Sequence, residues 1–388
     1  MKRVKRQNPA ENFGGFGTGT QQADQRAIVF ALSLSGMDHE TLAEVNDRYD
    51  LHEYFLIVNI LVFEYVTGGG WCDAPPPPAL RAEADHIQTA LLRNLLEIPG
   101  IAITAFRDTR WPVPAELADP IAWKPVEPTV GFRTQWLECL DHCDAVWPIA
   151  PESGGLLEGL CREVELAGKI LLNCPARAVH LATSKRATLA RLARHGIPVV
   201  PTRRFRGYRP VFPLIIKPDD GIGCQGIRIM DCEADWNEAL CEINPLHYVI
   251  QPWLRGDSLS LSVLFEYGQA QLLSGNRQII ARRGNRLQLD AVEVNAFAPT
   301  PAHQALVTAV AQAIPELWGY AGIDLLQTQR GLQVLEINPR LTTASAGLQA
   351  ALGINLARAV IGLVRQALTA SDVARQRDHA VKICWPVA

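Results

Sequence analysis

No uninterrupted apolar run in this 388-residue sequence reaches the roughly 18 residues that a membrane-spanning helix needs. Neither sign of charge prevails. With 37 basic against 40 acidic side chains, no broad cationic surface for nucleic acid is expected, and nothing favours a membrane surface. The nine cysteines are odd in number and contain no CxxC pair. They read as reduced thiols of a cytoplasmic protein rather than a disulfide or zinc framework. Cys139 and Cys143 lie four apart beside His142, but a fourth zinc ligand is missing nearby. Ser258, Ser260 and Ser262 have no G-x-S-x-G elbow around them, which removes a serine hydrolase. A Gly-rich first turn followed by a ribose-binding acid is also missing, which removes a dinucleotide-dependent dehydrogenase. There are no internal repeats.

What is present can build substantial cores: 48% of the residues are hydrophobic, enough for two or three domains. The first 57 residues stand apart, with Lys2, Arg3, Lys5 and Arg6 leading into the Gly-rich stretch Asn12 to Gly19. They are expected to be a poorly ordered tail or extension, with the functional chain starting near Val58. From there, strand-like Val58 to Tyr65, a helix over Ala79 to Leu96 and a strand from Ile101 to Phe106 follow one another. A helix over Trp136 to Cys143, a strand at Asp144 to Ile149 and a helix ending near Gly168 continue the alternation. That order predicts a parallel sheet covered by helices. Beyond it the spacing predicts a helix from Ser184 to His195 and strands at Val211 to Lys217, Gly226 to Met230 and Val249 to Leu254. Further strands are expected at Leu259 to Phe265, Ala270 to Leu273 and Gln288 to Val294. A helix over Ala302 to Trp318 and strands around Asp324 and at Leu332 to Ile337 complete the pattern.

Two segments carry the chemistry. The first is Lys217-Pro218-Asp219-Asp220-Gly221-Ile222-Gly223-Cys224-Gln225-Gly226. Lys217 leaves a buried strand, where an unpaired ammonium is costly unless an anion such as phosphate meets it. Gly221, Gly223 and Gly226 let backbone N–H groups approach that anion, although a hairpin with a glycine turn would look the same. The second segment contains Asp324 and, twelve positions later, Glu336-Ile337-Asn338-Pro339-Arg340. Glu336 and Asn338, two apart on a strand, face one side. With Asp324 they offer hard oxygen donors for magnesium, or form a polar sheet edge. Arg340 suits either a transferring phosphoryl group or a structural carboxylate partner. Lys185, in the first turn of a helix, is a second cation for a triphosphate or a solvated surface charge. Asn276, Arg277 and Gln278 are contacts on the acceptor side or a plain turn. Trp253, between Pro252 and Leu254, fits the core or an interface better than a nucleotide stack.

On these residues the chain resembles the ATP-grasp superfamily, in its carboxylate–amine ligase branch, over roughly residues 58 to 365. The resemblance implies an ATP-grasp fold of class α/β and α+β: an N-terminal parallel-sheet α/β domain and two lobes enclosing ATP. The implied boundaries are 58–175 for the first domain, 176–254 for the lobe with lid and hinge, 255–365 for the lobe with the metal site, and 366–388 for a C-terminal segment. Lys185 and Lys217 match the phosphate-contacting lysines, and Asp219 to Gly226 the Gly-rich lid. Gln251-Pro252-Trp253-Leu254 matches the hinge whose backbone meets adenine, and Asp324, Glu336 and Asn338 match the metal ligands. The hinge departs from the family pattern in starting with Gln251 and Pro252 rather than glutamates. Where a ribose-binding glutamate is usual the chain has Ser258, with Asp257 beside it as a substitute. Gly322 stands where related D-alanine ligases carry an arginine.

Within the superfamily the chain is similar to the tyramine–glutamate ligase group of methanofuran biosynthesis. Ile60 to Tyr65, Ala150-Pro151-Glu152, Ser274 to Gln278 and Glu336 to Arg340 carry that likeness. It implies ATP with magnesium or manganese, small-molecule carboxylate and amine substrates, and an amide formed through an acylphosphate. Arg340, Lys217 and Asn276 would be catalytic, and related ligases are often homodimers. Two other readings stay open: a different ATP-grasp reaction, such as carboxylation or another amino-acid ligation, and a non-catalytic ATP-binding regulator. The chain has no biotin-attachment motif.

Overall fold

The computed structural model describes residues 58–72, 74–205, 210–366, 368–369 and 371–384. The expected N-terminal tail, 1–57, lies outside them. Strand β1 (Val58–Glu64), helix α1 (Pro78–Leu96), β2 (Ile101–Asp108), β3 (Ala122–Val126), α2 (Arg133–His142), β4 (Ala145–Ile149), α3 (Leu156–Leu166) and β5 (Ile170–Leu171) build the first unit. Its five parallel strands are ordered β3-β2-β1-β4-β5. β1 shows why both faces are covered. Val58, Ile60 and Val62 point into one core with Leu92 of α1, while Leu61 and Phe63 point into a second core with Trp136 of α2. Period-two alternation of apolar side chains on both faces is the signature of a strand buried between two helix layers.

Helices α4 (Ala176–Thr183) and α5 (Lys185–Arg194) lead into the second sheet. Its strands are β6 (Arg203–Arg204), β7 (Leu214–Pro218), β8 (Arg228–Met230), β9 (Tyr248–Pro252), β10 (Asp257–Glu266), β11 (Gln269–Arg283), β12 (Arg286–Phe297), β13 (Trp318–Thr328), β14 (Gly331–Asn338) and β15 (Val381–Cys384). The path runs β14-β13-β10-β11-β12-β8-β7-β9-β6, with β15 on β12. Helix α6 (Glu233–Glu242) covers the smaller lobe, where Phe205 stacks on Trp236 at 4.4 Å. Helix α7 (Pro301–Ala313) packs with the larger lobe, and α8 (Thr343–Leu352) and α9 (Leu356–Val364) return to α1. There Asn94 receives the backbone N–H of Leu356 at 2.8 Å and donates to Gln349 at 2.7 Å. Strand β8 of the smaller lobe pairs with β12 of the larger at Arg228 and Arg286, and the cleft lies between the lobes.

Two elements differ from the sequence reading. The helix expected to reach Trp318 stops at Ala313, because Ile314 precedes Pro315 and takes φ −129°, ψ 72°. The strand expected to end at Leu273 runs on to Arg283, because polar Ser274 and Asn276 find buried partners inside the sheet.

Glu64 closes β1. It is 3% exposed, and its Oε2 accepts from the Thr67 N–H at 2.6 Å and from the Thr67 hydroxyl at 2.7 Å. Burial pushes its carboxyl from an ordinary 4.5 up to about 7, against the lowering effect of the Thr67 bonds. The native state therefore holds this proton more tightly than the unfolded chain does. The stability it contributes is fully present below about pH 4.5 and lost as pH rises through about 7. Glu64→Gln is expected to flatten that fall, leaving the variant more stable than wild type at pH 8 by on the order of 3 kcal/mol. Urea melts at pH 5 and pH 8 check this; an unchanged pH slope in the variant would contradict it.

Candidate active site

β7 delivers Lys217 and α5 delivers Lys185, and both ammonium groups converge on Glu336 of β14. Lys185 Nζ lies 3.5 Å and Lys217 Nζ 3.6 Å from Glu336 Oε2. A cation in the first turn opposes the helix dipole, and Lys185 is only 6% exposed, so the position is poorly explained by helix formation alone. Its Nζ also donates to the backbone carbonyls of Gly221 and Asp219 in the loop between β7 and β8. Asp219 itself does not line the cleft. Its Oδ2 accepts from the Ser184 hydroxyl at 2.7 Å and its Oδ1 from Arg186 N–H at 2.8 Å, fastening the loop to the start of α5. Asp220 fastens it to the first domain, accepting from the Ser153 hydroxyl through its carbonyl and from Gly154 N–H through its carboxylate.

In the loop, Gly223 and Gly226 have φ of +55° and +71°, and a Cβ on Gly226 would come 2.8 Å from Pro218. Both glycines are required by the backbone. The N–H groups of Gly221 and Gln225 are turned to the loop's own carbonyls, at Pro218 and Ile222. Gly223 and Cys224 line the cleft, whereas Gly221 only turns the chain.

β13 and β14 set the carboxylates. Asp324 pairs in register with Glu336, and a bulge at Leu335 restores the pairing as Leu325 with Val334. The two acids therefore share a sheet face, and Asn338, two residues on, shares it too. Burial, then the neighbouring Glu336, pushes Asp324 up to about 7, while Gln278 and Asn338 donate hydrogen bonds to it. Glu336 is held below its ordinary value, because Lys185 and Lys217 outweigh the opposing effect of burial. Lys217 is lowered by burial, with Glu336 opposing. Two crowded acids, Asp324 raised by burial and by Glu336 beside it, form a pair that a divalent ion would suit. No cluster of three or more His, Cys, Asp or Glu side chains stands among the described residues. Two carboxylates and one carboxamide fit an oxygen-seeking ion that completes its shell with phosphate and water, as magnesium does.

Lys217, Asp324, Glu336 and Asn338 line a cavity of about 590 Å³ with Gln251, Pro252, Trp253, Leu254, Asp257 and Arg340, whereas Lys185 is not on that lining. Gln251 is buried and donates to Thr202 Oγ1 at 2.8 Å; the Trp253 N–H goes to the Pro213 carbonyl at 3.2 Å. Trp253 therefore forms part of the cavity wall, and Asp257 is exposed on its lining. Arg340 donates through Nε to Glu152 at 2.9 Å and through Nη1 to the Leu341 carbonyl at 3.0 Å. Burial works against its charge, and Glu152 overcomes it. Glu152, 4% exposed, comes from the first domain, 188 residues away in sequence, and no local pattern pairs it with Arg340.

Asn276 departs from the expectation that it meets substrate. It is fully buried, accepting from the Ser274 hydroxyl at 2.8 Å and from Asn295 N–H at 3.2 Å, and donating to Ser262 at 3.1 Å. Its neighbours Arg277 and Gln278 both line the cavity, beside a register shift between Gly275 and Arg277 that breaks the strand's strict alternation. Asn276→Ala is expected to cost about 1–3 kcal/mol of stability by stranding these partners. ATP affinity should be nearly unchanged, and a urea melt beside a nucleotide titration separates the two effects.

The ATP-grasp domain family matches residues 182–344, and the pre ATP-grasp 3 domain family matches 101–179. The chain is 25% identical over 297 residues to a tyramine–L-glutamate ligase of Methanocaldococcus jannaschii, covering 75% of this chain and 84% of that protein. Among solved structures, an ATP-grasp superfamily protein from Archaeoglobus fulgidus superposes with TM-score 0.62 at 21% identity, over 84% of this chain and 92% of that one. An L-amino acid ligase from Bacillus licheniformis superposes with TM-score 0.56 at 15% identity, over 82% and 77%. With the parallel-sheet domain, the two-lobed antiparallel sheet and the cleft between its lobes, these matches establish that the chain belongs to the ATP-grasp superfamily.

Proposed function

We propose that this ATP-grasp enzyme is an ADP-forming carboxylate–amine ligase. Its substrates are L-glutamate and tyramine or a tyrosine-like amine, and its product belongs to a methanofuran-type cofactor of one-carbon metabolism. The observation that carries the ligase reading is the meeting of Lys185 and Lys217 on Glu336, directly across the strand pair from Asp324. Two ammonium groups and two carboxylates in one cleft are the complement of a metal-bound polyphosphate. The similarity to tyramine–L-glutamate ligases over three-quarters of the chain supports the choice of acid and amine.

In this reading the adenine rests along Gln251 to Leu254, and Asp257 reaches the ribose. Lys185, Lys217 and the Gly223 to Gly226 part of the lid hold the phosphates. Asp324, Glu336 and Asn338 would hold magnesium or manganese, which draws charge from the phosphoryl group when bound. An oxygen of the substrate carboxylate attacks the γ-phosphorus and ADP leaves with the bonding pair. The amine, having lost its extra proton, attacks the acyl carbon through its nitrogen lone pair; inorganic phosphate departs with the C–O bonding pair and the amide nitrogen releases a second proton. Arg340, held by Glu152, would stabilise the transferring group, and the lid, fastened at Asp220, would keep water from the acylphosphate. Asn276 serves from beneath, holding the strand that presents Gln278 to Asp324.

Hydroxylamine tests the acylphosphate. With Mg-ATP and L-glutamate but no amine, the expected product is glutamyl hydroxamate in step with ADP. ADP formation without hydroxamate would set the acylphosphate route aside.

A further inference from the structure

A second cavity, of about 540 Å³, adjoins the first; Glu83, Gly223, Cys224, Leu289 and Arg340 are among the residues that line both. Its walls are mainly apolar. Leu80 and Ile87 come from α1, Ile149 from the end of β4, and Leu289 from β12. Glu64 also lines it, at the C-terminal end of β1, almost wholly buried. The hydrogen bonds to Glu64 come from Thr67 and reach a single oxygen, Oε2. Neither Glu64 nor Glu83 takes part in any ion pair among the described residues; the hydroxyl of Thr343 donates to Glu83. Four arginines also line the cavity: Arg340 pairs with Glu152, Arg228 with Glu242 and Arg283 with Asp290, while Arg286 is exposed. A buried carboxylate without a counter-ion is costly, and the raised value of Glu64 reflects that cost. Glu64, buried on this lining and in no ion pair among the described residues, is complementary to a ligand that brings a cation.

We propose that this cavity takes the acceptor substrate as a primary ammonium with an apolar or aryl body, Glu64 receiving the ammonium and Leu80, Ile87 and Leu289 flanking the body. The inference rests on the ligase reading and deepens it, by assigning the amine to the cavity that adjoins the nucleotide's. The shared residue Arg340 marks the end of the cavity facing the phosphates, which is where the nitrogen has to arrive.

Calorimetric titration of the full chain with Mg-ADP present tests this, using tyramine, phenethylamine and the uncharged alcohol 4-hydroxyphenylethanol. The two amines are expected to bind roughly 10- to 100-fold more tightly than the alcohol, the range of one charge-assisted contact. Glu64→Gln should erase that preference while leaving ADP affinity unchanged. Leu80→Trp, which leaves Glu64 in place, should weaken both aryl amines and not ADP. The inference is overturned if the alcohol binds wild type as well as tyramine, if neither amine binds, or if Glu64→Gln weakens L-glutamate and spares the amines. Ligation is scored separately. Glu64-dependent amine binding with no amide formed from any acid would overturn the ligase reading and leave this one. Ligation with an unchanged amine KM in Glu64→Gln would do the reverse.

Discussion

Glu336→Gln is expected to lower ATP turnover by at least about 10²–10³-fold. Glu336 Oε2 is the shared counter-ion of Lys185 and Lys217, and Glu336 is the in-register partner of Asp324. An amide keeps the shape and removes the charge, so two buried ammonium groups lose their anion and a magnesium ion loses one of two carboxylates. Breaking a buried pair this way commonly costs about 3–5 kcal/mol. Here part of that loss is recovered, because Asp324, no longer facing Glu336, ionises more readily and lies near Lys217. Asp324 cannot, however, supply the second anionic ligand. The variant should therefore melt as a folded protein yet need much more magnesium for any residual activity. Near-normal turnover at the wild-type magnesium requirement would remove the metal assignment.

Lys217→Met is the complementary case, since it separates function from folding. Lys217 is 5% exposed, and burial already works against its charge. Methionine fills similar space without a charge to desolvate, and Glu336 keeps Lys185 as partner. Stability is expected to change by no more than about 1–2 kcal/mol. Mg-ADP affinity should fall roughly 10- to 100-fold, as befits the loss of a charge-assisted phosphate contact, and turnover should fall further. Calorimetry with Mg-ADP beside a thermal melt reads both quantities. A folded variant that binds Mg-ADP as tightly as wild type would show that this lysine serves the fold and not the nucleotide.

Much of this architecture is legible in the sequence because the relevant signals are local. β1 alternates side chains between two cores, and α1 repeats its apolar face, so period alone places both. Lys217, the glycines of the lid and the Glu336 to Asn338 pair are likewise recognisable from neighbours a few positions away. The remainder depends on long-range contacts. Glu152 reaches Arg340 across 188 residues, and nothing in either segment names the other. Asn276 reads as a polar turn because Ser274, Gly275 and Asn276 interrupt an apolar strand, yet the partners that bury it lie on β10 and β12. The end of α7 at Ala313 was available in principle, since Pro315 restricts the residue before it. Apolar residues on both sides of the proline, Ala313-Ile314 before and Leu317-Trp318 after, mask that stop. β15 joins the sheet through a partner about 90 residues upstream, beyond any local periodicity.

The central claim is ATP-driven amide formation between an acid and an amine. Its most direct measurement follows phosphate release and product mass together, with Mg-ATP, L-glutamate, and either tyramine, tyrosine or no amine present. The account predicts phosphate release that rises with the amine and a product whose mass is that of the glutamyl amide. Amine-independent phosphate release with no amide of either acceptor, in protein that binds ATP, would contradict it.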